Sequence, residues 1–185
     1  MKVRVFNNLA VGQNHLGRAG FAARFFRKGD VITQFKGPLI HKLELPKNYK
    51  GERDRYLQVG VETFMGPSED IDDLLNHSCD PNTGLKFNDS DVLLVAIRDI
   101  EIGEEVTWDY STTMFEHDWR MKCDCRAKEC RKIISDFTLL DKKIQERYRA
   151  LGIIPQYLEN YMNNLSYPVY TRDMRSLKKH AQRRK

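Results

Sequence analysis

Leu74-Leu75-Asn76-His77-Ser78-Cys79-Asp80-Pro81-Asn82 is the stretch of this 185-residue sequence from which the fold is best predicted. Two apolar residues lead into a compact polar group that ends in a proline turn. Asn76 and His77 place an amide and an imidazole side by side, which suits the binding of a polar ligand. An isolated Asn-His pair is more often an Asx-type turn with a hydrogen-bonded histidine, so its interpretation depends on the rest of the chain.

The second informative stretch is Cys123-Asp-Cys125-Arg-Ala-Lys-Glu-Cys130, which holds three of the four cysteines. Neighbouring cysteines in a Cys-x-Cys pair are poorly placed to form a disulfide with each other. Three thiolates from one loop suit a tetrahedral zinc site that lacks one ligand, and Cys79 would complete it. The alternative is four free thiols, some of them buried as small apolar side chains.

The rest of the sequence predicts short strands first and helices last. Residues 41–72 are polar and weakly periodic, so no long element is expected there. Strand formers are concentrated in four runs: Val3–Phe6, Val31–Phe35, Asp91–Ile97 and Val106–Tyr110. Two later runs have helical spacing, the first of them closed by Gly152 and Pro155: Leu140, Ile144, Tyr148 and Leu151, then Leu158, Tyr161, Met162 and Leu165.

These motifs together resemble a known family. The Asn-His segment, followed by Gly103-Glu-Glu-Val-Thr-Trp-Asp-Tyr110 and then by Cys-x-Cys-x4-Cys, is similar in order and spacing to SET-domain protein lysine methyltransferases with a post-SET zinc loop. Upstream, Gly17-Arg-Ala-Gly-Phe-Ala22 and Lys28-Gly-Asp-Val-Ile32 resemble the family's first cofactor segment and the turn after it. Residues 136–165 resemble, more loosely, the C-terminal extension of small stand-alone SET proteins.

The resemblance implies a mainly β (β-rich α+β) fold of small curved sheets. In the family the Asn-His segment is threaded under a crossing loop as a pseudoknot, a rare exception to unthreaded topology. A zinc-bound post-SET loop and C-terminal helices complete the expected fold. Four parts are predicted: a SET domain at 1–122, a zinc-binding loop at 123–135, a helical extension at 136–168 and a flexible basic tail at 169–185.

The resemblance also implies an activity, the transfer of a methyl group from S-adenosylmethionine to a lysine ε-amine. The substrate would be a histone or another basic protein, bound as an extended peptide against a sheet edge. Tyr110 is the implied catalytic residue, and Tyr56 and Trp108 would line the lysine channel. The implied cofactor-binding residues are Gly17, Arg18, Ala19, Gly20, Asn76, His77 and Phe115. The implied zinc ligands are Cys79, Cys123, Cys125 and Cys130.

Three positions depart from the family pattern. Ala19 stands where the family usually has glycine, so the first cofactor loop is expected to differ in shape. Asp73 stands where many members carry arginine, which is expected to alter the cofactor pocket. Trp108 replaces the usual Phe or Tyr at a position thought to control how many methyl groups fit, and its bulk predicts mono- or dimethylation.

The net charge of +5 is unevenly distributed. Residues 169–185 contain seven basic residues and one acidic residue, so this tail carries +6 and the rest of the chain carries −1. The tail allows contact with nucleic acid, but a near-neutral domain is not typical of a nucleic-acid-binding protein. Two alternatives to the enzyme are a catalytically silent SET-like module acting through its tail and a zinc-stabilised nucleic-acid-binding protein.

Composition narrows the compartment. A hydrophobic content of 41% with 10% aromatic residues is normal for a globular chain and too high for a disordered one. No apolar run reaches the ~18–20 residues needed to cross a bilayer, and the first residues do not resemble a secretory signal. We therefore expect an intracellular protein without a membrane partner, either cytoplasmic or nuclear and chromatin-associated.

Overall fold

Short strands joined by turns make up most of the chain up to Ser135. The computed structural model describes residues 5–6, 8–47, 49, 55–88 and 91–163, without the side chains of 5 and 6. The described strands are β1 (Val5–Phe6), β2 (Leu9–Asn14), β3 (Gly17–Ala22), β4 (Val31–Phe35), β5 (Leu39–His41), β6 (Leu57–Gln58), β7 (Thr63–Met65), β8 (Asn76–His77), β9 (Thr83–Phe87), β10 (Val92–Ala96), β11 (Thr107–Trp108), β12 (Arg120–Lys122) and β13 (Ile133–Ser135).

Two α-helices follow the strands, as the periodicity predicts. They are α1 (Lys142–Ala150) and α2 (Gln156–Asn163). The Asp141 carboxylate accepts the N–H of Lys143 at 2.8 Å and caps the start of α1. The chain reverses at Gly152, whose φ of +62° suits glycine at a helix end. The described 3₁₀ turns are Lys42–Glu44, Ile71–Leu74, Tyr110–Thr112 and Phe137–Leu139.

The described strands form five small sheets. Three sheets have three strands each, in the orders β1-β2-β3, β4-β10-β9 and β5-β7-β6, and two are pairs, β12-β13 and β8-β11. β8 and β11 run parallel, with Asn76 opposite Thr107 and His77 opposite Trp108. This pairing brings together two motifs that are about thirty residues apart in the sequence.

Three apolar clusters support these sheets. The largest lies between them and includes Phe26, Leu85, Leu94 and Ile100, all fully buried. A second cluster joins α1 and α2 to the sheets, and its buried members are Ile97, Phe115, Phe137, Leu140, Tyr148, Ile153 and Leu158. A third surrounds the cysteines, and its buried members are Cys79, Met114, Trp119, Cys123 and Ile134.

The mainly β architecture with few helices confirms the predicted fold class. Strands were correctly expected around Val31–Phe35 and within Asp91–Ile97. The four-part division of the chain stays a prediction, and its basic tail at 169–185 lies outside the described residues. Among the described helices, none has both the length and the apolar character that a membrane span requires.

Candidate active site

Tyr110 occupies the centre of the candidate site, two residues after the end of β11. Its backbone N–H donates to His77 Nδ1 at 3.2 Å, and its hydroxyl donates to the Leu75 carbonyl at 2.8 Å. Both partners belong to the Asn-His segment, so the parallel β8–β11 pairing sets the position of the tyrosine. The residue is half-buried.

Two cavities meet at Tyr110. The wider cavity has a volume of about 750 Å³, and the narrower one has a volume of about 70 Å³. Tyr110 and Met121 line both cavities. A group bound in the wide cavity and a group inserted into the narrow one would therefore approach each other at the tyrosine.

The wide cavity combines polar and apolar walls. Its lining residues are Leu16, Asn76, His77, Tyr110, Met121, Lys122, Cys123, Asp124, Cys125, Lys132 and Ile133. The Asn76 amide nitrogen donates to Glu105 Oε1 at 3.0 Å, which fixes the orientation of the amide. The volume is typical of a site for a cofactor-sized molecule. S-adenosylmethionine fits this donor set, because Lys122 and Lys132 can bind a carboxylate and the apolar residues can cover an aromatic base.

The glycine-containing segment predicted to bind cofactor lies beside the wide cavity. Leu16, at the tip of the β2–β3 hairpin, lines this cavity, whereas residues 17–20 are not among its lining residues. Ala19 is fully buried. A Cβ on Gly20 would come within 2.7 Å of the Leu75 side chain, so a larger residue at this position would force Leu75 to shift. The cofactor role of Gly17, Arg18, Ala19 and Gly20 stays a prediction.

Phe115 lies apart from both cavities. It is 5% exposed and packs in the cluster of the C-terminal helices, with its ring centroid 4.3 Å from that of Tyr161. Its backbone N–H donates to the Gln58 side chain at 2.7 Å. The structure therefore places Phe115 in a core, and it does not bring this residue together with Asn76 and His77.

The narrow cavity is lined mainly by aromatic and apolar side chains. Both residues predicted for a lysine channel, Tyr56 and Trp108, line it. The Trp108 ring centroid is 4.7 Å from that of Tyr110 and 5.9 Å from that of Phe35. The buried indole N–H of Trp108 has no hydrogen-bond partner among the described residues. Trp108 therefore presents both bulk and a hydrogen-bond donor to this site.

Asp73 lies on the narrow cavity, contrary to the expectation that it alters the cofactor pocket. Its carboxylate accepts the N–H groups of Ser68 and Glu69 and lies 3.8 Å from the Arg55 guanidinium. The neighbouring Asp72 also lines this cavity, and burial raises the pKa of its carboxyl despite hydrogen bonds from Ser68 and Lys36. Acidic groups thus border the cavity proposed for lysine.

The four cysteines lie close together, as predicted for a metal site. The Cys123 sulfur is 3.8 Å from that of Cys79 and 3.7 Å from that of Cys130, and the Cys79 N–H is 3.4 Å from the Cys125 sulfur. In a tetrahedral site with Zn–S bonds of about 2.3 Å, neighbouring sulfurs are about 3.8 Å apart. These distances fit zinc and are far too long for a disulfide.

His77 lies next to this cysteine cluster. Possible ligand atoms of His77, Cys79, Cys123 and Cys125 all lie within 4.8 Å of one another. However, His77 Nδ1 accepts the N–H of Tyr110, so the neutral imidazole carries its proton on Nε2, 3.3 Å from the Cys79 sulfur. Burial lowers the pKa of His77 to about 4, which keeps the ring neutral. His77 therefore fits as a donor to a metal-binding thiolate, linking the cysteine cluster to Tyr110.

The thiol pKa values differ within the cluster. Burial raises the pKa of Cys79 to about 11 and also raises that of Cys123. Although burial opposes its ionisation, the backbone N–H groups of Cys79 and Ala127 hold the pKa of Cys125 at about 7. Without a cation, the Cys79 and Cys123 sulfurs would stay protonated at neutral pH, and a metal ion would displace their protons.

Asp109, Arg131 and Tyr148 form a buried network that the sequence motifs did not predict. Both guanidinium nitrogens Nη1 and Nη2 of Arg131 donate to the Asp109 carboxylate at 2.7 Å, and the Tyr148 hydroxyl donates to it at 2.8 Å. Burial would raise the pKa of Asp109, but the Arg131 guanidinium holds it below its usual value. The available signals were slight: an aspartate directly before Tyr110 and an arginine directly after Cys130.

Comparison with known proteins identifies the family. The SET-domain family profile matches residues 17–111, just over half of the chain. The chain belongs to the SET-domain family.

Curated relatives share this domain. "Probable histone-lysine N-methyltransferase set-23" of Caenorhabditis briggsae is 35% identical over 150 residues, covering 72% of this chain and 60% of that protein. Human "Histone-lysine N-methyltransferase SMYD3" is 46% identical over 107 residues, covering 51% of this chain and 24% of that protein. "Histone-lysine N-methyltransferase TRX1" of Oryza sativa is 30% identical over 153 residues, and the chain spans only 14% of its length.

A solved structure supports the fold. KRYPTONITE in complex with mCHH DNA, H3(1-15) peptide and SAH superposes with a TM-score of 0.56 at 21% identity, covering 71% of this chain and 30% of that one. At this level of identity the similarity shows the fold alone.

Proposed function

We propose that this protein is an S-adenosylmethionine-dependent protein-lysine methyltransferase. The observation that carries the proposal is Tyr110, which borders a cofactor-sized cavity on one side and a narrow aromatic cavity on the other. Methyl transfer needs a nucleophile and a methyl donor aligned end to end, and alignment supplies most of the rate enhancement. The names of the relatives, all histone-lysine methyltransferases, support the same activity.

The wide cavity would hold the methyl donor. S-adenosylmethionine, when bound, supplies an electrophilic methyl group on a positively charged sulfur. Asn76 and His77 would contact it at the end of the cavity nearest Tyr110, and Lys122 and Lys132 would face its carboxylate. The four cysteines would hold one structural zinc ion, which keeps the Cys123–Cys125 wall of the cavity in place.

The narrow cavity would hold the substrate lysine. Its apolar walls disfavour the ammonium form and lower the pKa of the amine, so that a neutral amine is available. The bound donor would supply its methyl group to this amine and leave as S-adenosylhomocysteine, and the excess proton of the methylated amine would pass to solvent. The Tyr110 hydroxyl, held by the Leu75 carbonyl, would orient the amine. Asp72 and Asp73, which line this cavity, would favour a basic side chain in it.

The substrate would be a basic protein bound as an extended peptide, and a histone is the first candidate. The related KRYPTONITE structure contains an H3 peptide. Such a substrate places the protein inside the cell. We propose contact of the basic tail with nucleic acid only as a secondary interaction.

Trp108 would limit the product to mono- or dimethyl-lysine. The indole is 6% exposed and packs against Tyr110, which leaves little room for added methyl groups. Mass spectrometry of the product tests this, with Trp108→Phe expected to accept more methyl groups. Efficient trimethylation by the wild-type protein would contradict it.

The activity is tested with labelled S-adenosylmethionine and a panel of basic proteins that includes histone H3. We expect label on lysine, a loss of at least about 100-fold in Tyr110→Phe, and little change in Tyr161→Phe. Equal labelling by wild type and Tyr110→Phe would show that Tyr110 is not the catalytic residue.

Ligand binding separates the alternatives. S-adenosylhomocysteine at a hundred times its Kd should stabilise the fold by about 2.7 kcal/mol. Stabilisation without methyl transfer would favour a catalytically silent module. The absence of both would favour a zinc-stabilised nucleic-acid-binding protein.

A further inference from the structure

We propose that Arg131 and Tyr148 are positioning residues, which act through the buried Asp109 carboxylate to hold Tyr110 between the two cavities. This inference rests on the proposed function for its catalytic meaning. Its structural content, that these two residues set the surroundings of Tyr110, can be tested separately.

Asp109 controls the turn that presents Tyr110. Its side chain is fully buried, and its Oδ1 atom accepts the N–H of Ser111 at 3.0 Å, capping the 3₁₀ turn Tyr110–Thr112. Its backbone carbonyl accepts the hydroxyl of Thr112 at 2.7 Å. A displacement of the Asp109 carboxylate would therefore move the backbone of the next residue, Tyr110.

Two distant parts of the chain fix this carboxylate. Arg131 directly follows the last cysteine, and its two terminal nitrogens each donate to one carboxylate oxygen at 2.7 Å. Tyr148 lies on α1, is 1% exposed, and donates its hydroxyl to Oδ2 at 2.8 Å. Planar two-point pairing of this kind is a geometry that arginine provides and lysine does not.

Arg131 also contacts the cysteine cluster. Its backbone N–H is 3.4 Å from the Cys79 sulfur. The guanidinium is thus anchored by its own backbone near the proposed zinc and by its side chain at Asp109. A shift of the cysteine loop would be transmitted along this residue to the turn that carries Tyr110.

The variants that test the proposal are Arg131→Lys and Tyr148→Phe. Each keeps most of the side-chain volume but removes part of the hydrogen bonding to Asp109. Roughly tenfold lower kcat is expected for Tyr148→Phe and roughly 100-fold for Arg131→Lys, with the KM values for peptide and cofactor nearly unchanged. Zinc content is measured for both variants. If Arg131→Lys loses its metal, Tyr148→Phe alone is used to test the proposal.

The controls separate positioning from general stability. Ile153→Val destabilises the same helical cluster without touching Asp109, and Tyr161→Phe removes a hydroxyl on the neighbouring helix. Both are expected to retain kcat within twofold. In single-turnover assays, Tyr148→Phe should add no further loss in a Tyr110→Phe background. Additive losses, or an equal loss of kcat in Ile153→Val, would overturn the proposal.

A spectroscopic measurement tests the same link without catalysis. In protein labelled with 3-fluorotyrosine, the ¹⁹F signal of Tyr110 is assigned by its absence from Tyr110→Phe. It should shift in Arg131→Lys and Tyr148→Phe but not in Ile153→Val. An unmoved signal would overturn the inference whatever the activity. A shifted signal in a protein that transfers no methyl group would leave the inference standing and reject only the proposed function.

Discussion

The cysteine loop and the C-terminal helical region, the latter through Tyr148 of α1, contact the same buried carboxylate, but different forces hold them in place. Within Cys123–Cys130 the four charged side chains are all exposed, and the Cys123 sulfur lies within 3.8 Å of the sulfurs of Cys79 and Cys130. The helices bury large apolar side chains, among them Phe137, Ile153 and Leu158. Asp109 receives Arg131 from the first region and Tyr148 from the second. The order of the cysteine loop should therefore depend on bound metal, and the stability of the helical cluster should depend on the volume of its buried side chains.

Metal removal should have the largest effect, and it should disturb the cysteine loop while the helices stay folded. We expect wild-type protein to contain one zinc ion per chain, and Cys125→Ser or a strong chelator to remove it. Activity should fall by more than about 100-fold, because Cys123 and Cys125 line the wide cavity. The helical circular dichroism signal should remain. Metal analysis, methyl labelling and circular dichroism measure these effects, and Lys128→Ala at an exposed position is the control. Loss of the helical signal together with zinc would contradict the claim that the helices do not depend on the metal.

Truncation of Leu158 should destabilise the helical cluster and leave the cysteine loop intact. Leu158 is fully buried between the helices, so Leu158→Ala should lower the free energy of unfolding by about 2–5 kcal/mol. The folded protein should keep its zinc. Urea denaturation and metal analysis measure both quantities. Leu139→Ala, at a position that is 52% exposed, should change stability by less than about 0.5 kcal/mol. Equal losses in the two variants would contradict the assignment of this core.

An added methyl group at Gly84 tests how tightly the helices pack on the sheet. A Cβ at this position in β9 would lie 2.5 Å from Cγ2 of Ile153. Gly84→Ala should therefore destabilise the protein by about 1–3 kcal/mol, with partial recovery in the double variant with Ile153→Ala. Gly60→Ala is the control, since its nearest neighbour is at 3.4 Å. Thermal unfolding of the wild-type protein and the three variants measures these differences in stability. Unchanged stability in Gly84→Ala would show that the helices pack less tightly on β9 than described.

The smallest effect is expected at Asp136, where the cysteine loop joins the helices. Burial raises the pKa of its carboxyl, and Oδ2 has no hydrogen-bond partner among the described residues. A raised folded-state pKa gives a stability contribution that is present below the unfolded pKa of about 3.9 and is lost as pH rises through the folded value.

As the pH rises from 4 to 8, the free energy of unfolding should therefore fall less in Asp136→Asn than in the wild-type protein. The difference between the two falls should be up to about 1 kcal/mol. Urea denaturation at several pH values measures the slope. Asp99→Asn, which removes one negative charge at an exposed position, is measured in parallel as the control for the change in net charge. A slope identical to wild type in Asp136→Asn would contradict the raised pKa.

The predictable parts of the site were those encoded in short motifs. Asn76, His77, Tyr110 and the cysteines stand in fixed local spacing, and the structure brings them together around β8 and β11. The Asp109 network was not predicted, because Arg131 and Tyr148, 22 and 39 residues away in the sequence, belong to no recognised motif that pairs them with Asp109. No local periodicity reports such partners.

The positions of Phe115 and Asp73 were harder to predict for a related reason. An aromatic residue five positions after Tyr110 can face a cavity or a core, and here the C-terminal helices cover it. Asp73 lies within the 3₁₀ turn Ile71–Leu74, which directs it to the narrow cavity. In both cases tertiary packing, which the local sequence does not specify, decides the direction.

The network around Asp109 also has a consequence for the order in which the protein is made. A ribosome synthesises Tyr110 well before Arg131 and Tyr148, so the nascent chain carries the turn Tyr110–Thr112 while the Asp109 carboxylate that caps it still lacks these partners. Contacts between residues far apart in sequence also form slowly in folding. We therefore expect the turn to reach its final geometry only after α1 has left the ribosome and docked. A nascent chain that ends before Tyr148 could form its sheets, but the Asp109 carboxylate would lack the hydroxyl of Tyr148.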